Sequence, residues 1–265
     1  MTKGGRTAST FRGAASWKLP RHAGRAFVFL AAFLSLFSPR SPSAHEVIDG
    51  EQVRAALAAV EAADVRAKNA AGSATEGEAK LALGLVQVET TEILNRDLAA
   101  HSGRLSFNGD SLQKSLAQRN LSPAFDDTIG RYRLPRATLE DALRLSPAAP
   151  AAPRARFALL KAGFYESFVF DPFKLVGLSA DDLDRQIAEA QALAAAPLSA
   201  DDAEEAAFIY AIDLARAARL AREPEAARAY AAKARKALAT FAEAYPESMR
   251  AASAVVILKG LGGAE

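Results

Sequence analysis

Cysteine is absent from all 265 residues. That excludes disulfides, thiol nucleophiles, thiolate metal ligands and lipid attachment through a cysteine. Histidine is nearly as scarce, with three residues. Beyond the basic N-terminal stretch only His45 and His101 remain, far apart and in no metal-ligand spacing. His45 would stand at or beside a new N-terminus after processing, where a frayed terminal residue is the expected state. No metal and no cofactor are expected. The chain also lacks a G-x-S-x-G elbow, a phosphate-binding Walker loop and a dinucleotide fingerprint. Carboxylate pairs are plentiful, but they recur at helix starts, where they complement the macrodipole, so none marks acid–base chemistry. The reading is of a protein more suited to binding than to catalysis.

Long apolar runs are missing too. The twelve-residue, predominantly apolar stretch Ala26 to Phe37 is short for a membrane span. It follows a basic region. Residues 1–44 hold Lys3, Arg6, Arg12, Lys18, Arg21, Arg25 and Arg40 and no acid, and end in Ser41-Pro42-Ser43-Ala44. Basic region, short apolar core and small-residue end describe a secretory signal peptide cut after Ser43 or Ala44. An uncleaved anchor is the other reading. The expected location is periplasmic or secreted, with no stable membrane span after cleavage. Removing those seven basic residues from 33 leaves 26 against 31 acids, a balance of about −5. A strongly basic footprint is then absent, and nucleic acid is not an expected partner.

What is abundant is alanine in helical register, above all from about Ala203 to Leu258. Ser199-Ala200-Asp201-Asp202 predicts a helix start, capped by the serine. Phe208, Ile209, Ile212 and Ala215 then form a wide apolar face. Asp202, Glu205, Asp213, Arg216, Arg219 and Glu223 leave a thin polar stripe, as expected of a helix covered on more than one side. Glu223-Pro224 opens a second helix carrying Tyr230, Ala234, Leu238, Phe241 and Tyr245. Pro246 stops it, and Met249 to Leu258 continues a helical pattern. The short link makes the first two helices antiparallel.

Ala234, Phe241, Ala244, Tyr245, Pro246 and Ser248, followed by an alanine-rich helix, resemble the second helix and exit of a tetratricopeptide repeat of the kind found in bacterial envelope proteins. The resemblance covers the C-terminal part only. The distance from Asp202 to Pro246 exceeds the repeat period of about 34 residues, and an ordinary helical hairpin is the alternative. The resemblance implies stacked antiparallel hairpins and a protein or peptide partner.

Upstream, Glu51 to Ala70 and Glu76 to Ala100 predict a first helical hairpin interrupted at Gly72-Ser73. Between His101 and Arg136 alanine thins out. Gly103-Arg104-Leu105-Ser106-Phe107 matches Gly130-Arg131-Tyr132-Arg133-Leu134 at an offset of 27. Each copy predicts a short extended piece, a turn and a helix, with Asn108-Gly109 as a turn signal. Two such pieces would pair into a small ribbon; chance similarity is the alternative. Ser146 to Pro153 predicts a stiff, extended Pro-Ala connector. Leu178 to Asp182 and Leu198 to Asp202 share five letters, and both mark helix starts.

The expected fold is therefore mainly α: stacked antiparallel helical hairpins with a small irregular or two-stranded insert near 103–134. The expected organisation is 1–44 signal peptide, 45–145 N-terminal hairpin plus insert, and 154–265 C-terminal helical domain. Two functions are expected from different classes. The first is an exported, non-catalytic scaffold for a protein or peptide, with Phe164, Tyr165, Phe168, Phe170 and Phe173 as candidate contacts. Aromatics at helical spacing are usually core, and that is the competing reading of this run. The second is an envelope enzyme or enzyme subunit with a polar site in 101–136, built from Arg104, Asp126, Asp127 and Arg131.

Overall fold

The computed structural model describes residues 48–167 and 179–261. The leader, His45 and the aromatic positions Phe168, Phe170 and Phe173 lie outside the described residues, as does Leu178. Among the described residues the chain is mainly helical, with one small antiparallel ribbon. No helix among them is long and apolar enough to cross a membrane.

Helix α1 (Gly50–Ala70) starts where Asp49 accepts the N–H groups of Glu51 and Gln52 at 2.8 and 2.7 Å. Gln52 returns a bond to the Asp49 N–H at 3.2 Å, closing a capping box. Helix α2 (Glu76–Ala100) follows a tight link and lies against α1. Helix α3 (Phe107–Gln118) is capped by Ser106, which accepts the Gly109 N–H at 3.1 Å. Val60, Leu94, Leu98, Leu112, Leu116 and Tyr132 make a core between these elements.

Asn108-Gly109 thus lies in the first turn of α3 and is not a chain-reversing turn. The Ser106 cap fixes the helix start two residues earlier. Gly109 is needed for close approach: a Cβ there would run into the buried Asp97 carboxylate, which accepts the Ser106 N–H at 2.7 Å.

The ribbon also differs from the expected pairing. Strand β1 (Phe125–Asp126) pairs with β2 (Arg131–Tyr132), with Phe125 opposite Tyr132 and Asp126 opposite Arg131. The 103–107 copy takes no part. The hairpin wins because it is local: Gly130 at φ +64° returns its N–H to the Asp126 carbonyl at 2.8 Å. Asn95 of α2 then clamps the backbone of Tyr132, donating to its carbonyl at 2.9 Å and accepting its N–H at 2.8 Å. A two-stranded ribbon alone is marginal, and this side chain anchors it to a helix.

Helix α4 (Arg136–Leu145) packs on α2 where α2 is bare. A Cβ at Gly84 would stand 2.6 Å from Leu139 Cδ2, and one at Gly77 would strike Ser146. The Pro-Ala connector is folded back rather than extended, with turn bonds from Ala149 to Ser146 and from Ala152 to Ala149. Ala149 and Ala151 rest on the apolar cluster of α2 and α4, so packing continues across the segment.

Helix α5 (Ala152–Ser167) joins the two halves. Its Ala155 and Ala158 belong to the α2–α4 cluster, while Phe157, Leu160 and Phe164 belong to the C-terminal core. Helices α6 (Ala180–Ala194), α7 (Ala200–Leu220), α8 (Pro224–Ala244) and α9 (Met249–Leu261) complete the chain. Ser179 and Ser199 cap α6 and α7, accepting the N–H of Asp182 and Asp202 at 3.1 and 3.2 Å. Links of a few residues force α6, α7 and α8 to run back and forth. Phe208 and Phe241 meet across α7 and α8 with ring centroids 5.3 Å apart.

Half of the polar stripe of α7 is not solvated. Glu205, Asp213 and Arg216 are 7%, 0% and 1% exposed. These three charges of the stripe are shut away from water, while Arg219 at the helix end is exposed. Arg216 Nη1 donates to Asp213 Oδ1 at 2.9 Å on the same helix.

Candidate functional site

Where α2, the ribbon and α5 converge, they line a small cleft open to solvent. Glu92 and Asn95 come from α2, Ile129 to Leu134 from the ribbon and its turn, and Lys161, Ala162 and Tyr165 from α5. Each arrives for a local reason. Asn95 fixes the ribbon against α2. Residues 161 and 165 stand one turn apart on α5 and share a face.

The deep wall is ionic. Lys161 Nζ lies 3.1 Å from Glu92 Oε1 and 3.4 Å from Glu205 Oε2. The Tyr165 hydroxyl donates to Glu205 Oε1 at 2.5 Å. Arg250 of α9 reaches both Glu205, at 3.3 Å, and Glu204, at 3.2 Å. Ser248 donates to Glu204 at 2.6 Å. Side chains from α2, α5, α7 and α9 are thereby tied into one network.

Burial opposes the charge on Lys161, but Glu205 and Glu92 outweigh it and hold the ammonium above its ordinary pKa. Burial, then the charge and hydrogen bond of Glu205, push the Tyr165 phenol well above its usual range. Both groups keep their protons across the neutral range. At the mouth, Arg133 grips Asp126 through Nε at 2.8 Å and Nη2 at 2.5 Å. That hydrogen bond is the main reason the Asp126 carboxyl is held below its ordinary value.

The two sets of candidate residues meet here in part. Tyr165 and Arg131 both line the cleft. Phe164 is in the core, 2% exposed, its ring edge-on to Tyr165 at 5.3 Å. Asp126 stands behind the mouth and pairs with Arg133 rather than with its register partner Arg131. Arg104 and Asp127 are exposed and do not line the cleft. Glu92, Asn95, Lys161, Glu205 and Arg250 carry the site without a motif. Of these, only Glu205 stood out in the sequence, as part of the polar stripe on an otherwise apolar helix.

No protein-family model, no curated protein and no solved structure matches the chain. Fold and site together define a mainly helical protein with an ion-backed cleft at the junction of its two halves.

Proposed function

We propose that this chain is an exported, non-catalytic helical scaffold that binds a protein or peptide partner in the bacterial cell envelope. One observation carries the reading: the charged groups at the back of the cleft are locked in ion pairs, while the half-buried Ile129 and Leu134 line it as apolar contacts. A general base or nucleophile works best with a pKa near the operating pH. Lys161 and Tyr165 are both moved away from it, one kept charged and the other kept protonated. Apolar and aromatic walls around a few fixed polar groups suit recognition. The enzyme reading has weaker support, since Asp126 is tied to Arg133. The alternating, alanine-rich run α6 to α9 suits a kinship with tetratricopeptide-like hairpins, whose stacking offers binding faces.

Panning a random peptide library on residues 45–265 is expected to enrich binders that Ile129→Arg abolishes without lowering the melting temperature. Binders indifferent to that change, or none at all, would remove the cleft from the proposal. The export half has its own check. A fusion of residues 1–50 to a reporter is expected to leave the cytoplasm and be clipped near Ala44. Mass spectrometry finding the leader intact on the exported product would overturn it.

A further inference from the structure

We infer that the seam between α2 and α5 is a shear joint between two halves of the molecule, latched by two ion pairs, and that releasing the latch changes the width of the cleft. The inference concerns how the halves move and does not depend on what the cleft binds. The described residues form separate apolar bodies on either side of α5. Leu81, Leu85, Val88, Leu139 and Ala142 belong to one, and the buried residues of α6 to α9 to the other. Among the described elements, only α5 packs against helices of both halves. Halves with separate cores move relative to one another unless a large apolar interface joins them.

The two faces of α5 are unlike. Phe157, Leu160 and Phe164 are seated in the C-terminal core, so α5 travels with that half. Toward α2 and α4 it presents Ala155 and Ala158, with Leu159 beside them. Alanines make shallow ridges, so neighbouring registers of this seam differ little in packing. Ion pairs flank the alanines. Arg154 lies 3.1 Å from Glu89, and Lys161 lies 3.1 Å from Glu92. Arg154 and Lys161 stand two turns apart on one side of α5, and Glu89 and Glu92 stand one turn apart on α2. Lys161 also lies 3.4 Å from Glu205 of α7, so its latch is anchored in the C-terminal half. Glu92 and Asn95 line the cleft from α2, and Lys161 and Tyr165 line it from α5. The cleft therefore spans the seam, and the small sliding of packed helices that defines shear alters its width.

The test uses residues 45–265 and pairs of spin labels, whose separation is read by pulsed electron resonance. The chain holds no cysteine, so two introduced cysteines label without background. Ala62→Cys on α1 and Lys236→Cys on α8, both at exposed positions, report across the joint. Gln191→Cys with Lys236→Cys reports within the C-terminal half as the control. At low salt the joint pair is expected to give one narrow distance. At about 1 M salt, where charges act over about 3 Å, a displaced population is expected to appear. Glu89→Gln/Glu92→Gln is expected to raise the ratio of displaced to latched molecules roughly 2- to 30-fold at low salt, the combined effect of two partly exposed pairs, and to respond little to further salt. Arg154→Glu alone is expected to shift the same way, and the swap Glu89→Arg/Arg154→Glu to restore the wild-type distance. Melting curves establish that each variant is folded.

A joint distance that stays single and narrow at high salt and in Glu89→Gln/Glu92→Gln overturns the inference. So does a displaced population that is present at low salt and indifferent to the variants, because the ion pairs then latch nothing. Equal broadening in the control pair places the change inside the C-terminal half and overturns the joint.

Discussion

Asp213→Ala is expected to destabilise the protein by about 3–5 kcal/mol, the usual consequence of removing one partner from a buried ion pair. Asp213 is fully enclosed on α7, and its partner Arg216 is 1% exposed. Their contact of 2.9 Å lies within a single helix turn, so it does not join distant elements. Losing the side chain removes the buried hydrogen bond that Arg216 Nη1 donates to Asp213 Oδ1. The double variant Asp213→Leu/Arg216→Met is expected to recover most of the loss, because an apolar pair of similar volume needs no desolvated charge. Urea unfolding of the three proteins decides it, and a cost below about 1 kcal/mol for Asp213→Ala would mean the pair behaves like a surface one.

The same pair gives stability a pH dependence of known sign. Burial raises the Asp213 carboxyl, Arg216 and the neighbouring Gln186 pull it back, and the net value is pushed up to about 7. The unfolded chain releases that proton near pH 3.9, the ordinary value for aspartate, at about that pH. Between roughly pH 4 and 7 the folded state therefore holds a proton that the unfolded state has lost. Its contribution is fully present below about pH 4 and is lost as pH rises through about 7. Relative to Asp213→Asn, the wild-type protein is expected to lose melting temperature from pH 4 to 7. A constant difference between the two would refute the assignment.

Phe164→Ala is expected to cost about 3–5 kcal/mol, the range for emptying a buried phenylalanine site. Phe164 is 2% exposed and joins the core shared by α5, α6 and α7. The loss falls on the helix that connects the two apolar regions, so unfolding is expected to remain a single transition at lower denaturant. Peptide binding at temperatures where the variant is folded is expected to change far less than on Ile129→Arg, because Phe164 does not line the cleft. A melting temperature near wild type would return Phe164 to the surface and to the partner-contact set.

Much of the helical framework was legible because its causes are local. Ser179 and Ser199 sit before acids at two helix starts, and both cap their helices. Pro224 opens α8 at the position where a missing N–H costs nothing. Alanine spacing gave α7 and α8 their faces, and a short link made them antiparallel. The ribbon was half legible: an extended piece near 130 was expected, but its partner was sought near 103 and found at 125–126. Asn108-Gly109 carried a turn signal that the Ser106 cap and the Asp97 carboxylate overrode.

The site was not legible, because its groups owe their roles to residues distant in the chain. Asn95 and Tyr132 are 37 positions apart, and Tyr165 and Glu205 are 40 apart. Periodicity marks which face of a helix is apolar, but not whether the remaining charges meet water or other charges. By itself the sequence determined the helix class, the helix starts at Ser179, Ser199 and Pro224, and the exclusion of thiol chemistry, since these follow from residue type and neighbours within a turn. Only tertiary structure decided that Glu205, Asp213 and Arg216 are buried and that Arg131 and Tyr165 share a cleft. Burial and charge pairing are set by what packs opposite, and no local spacing encodes that.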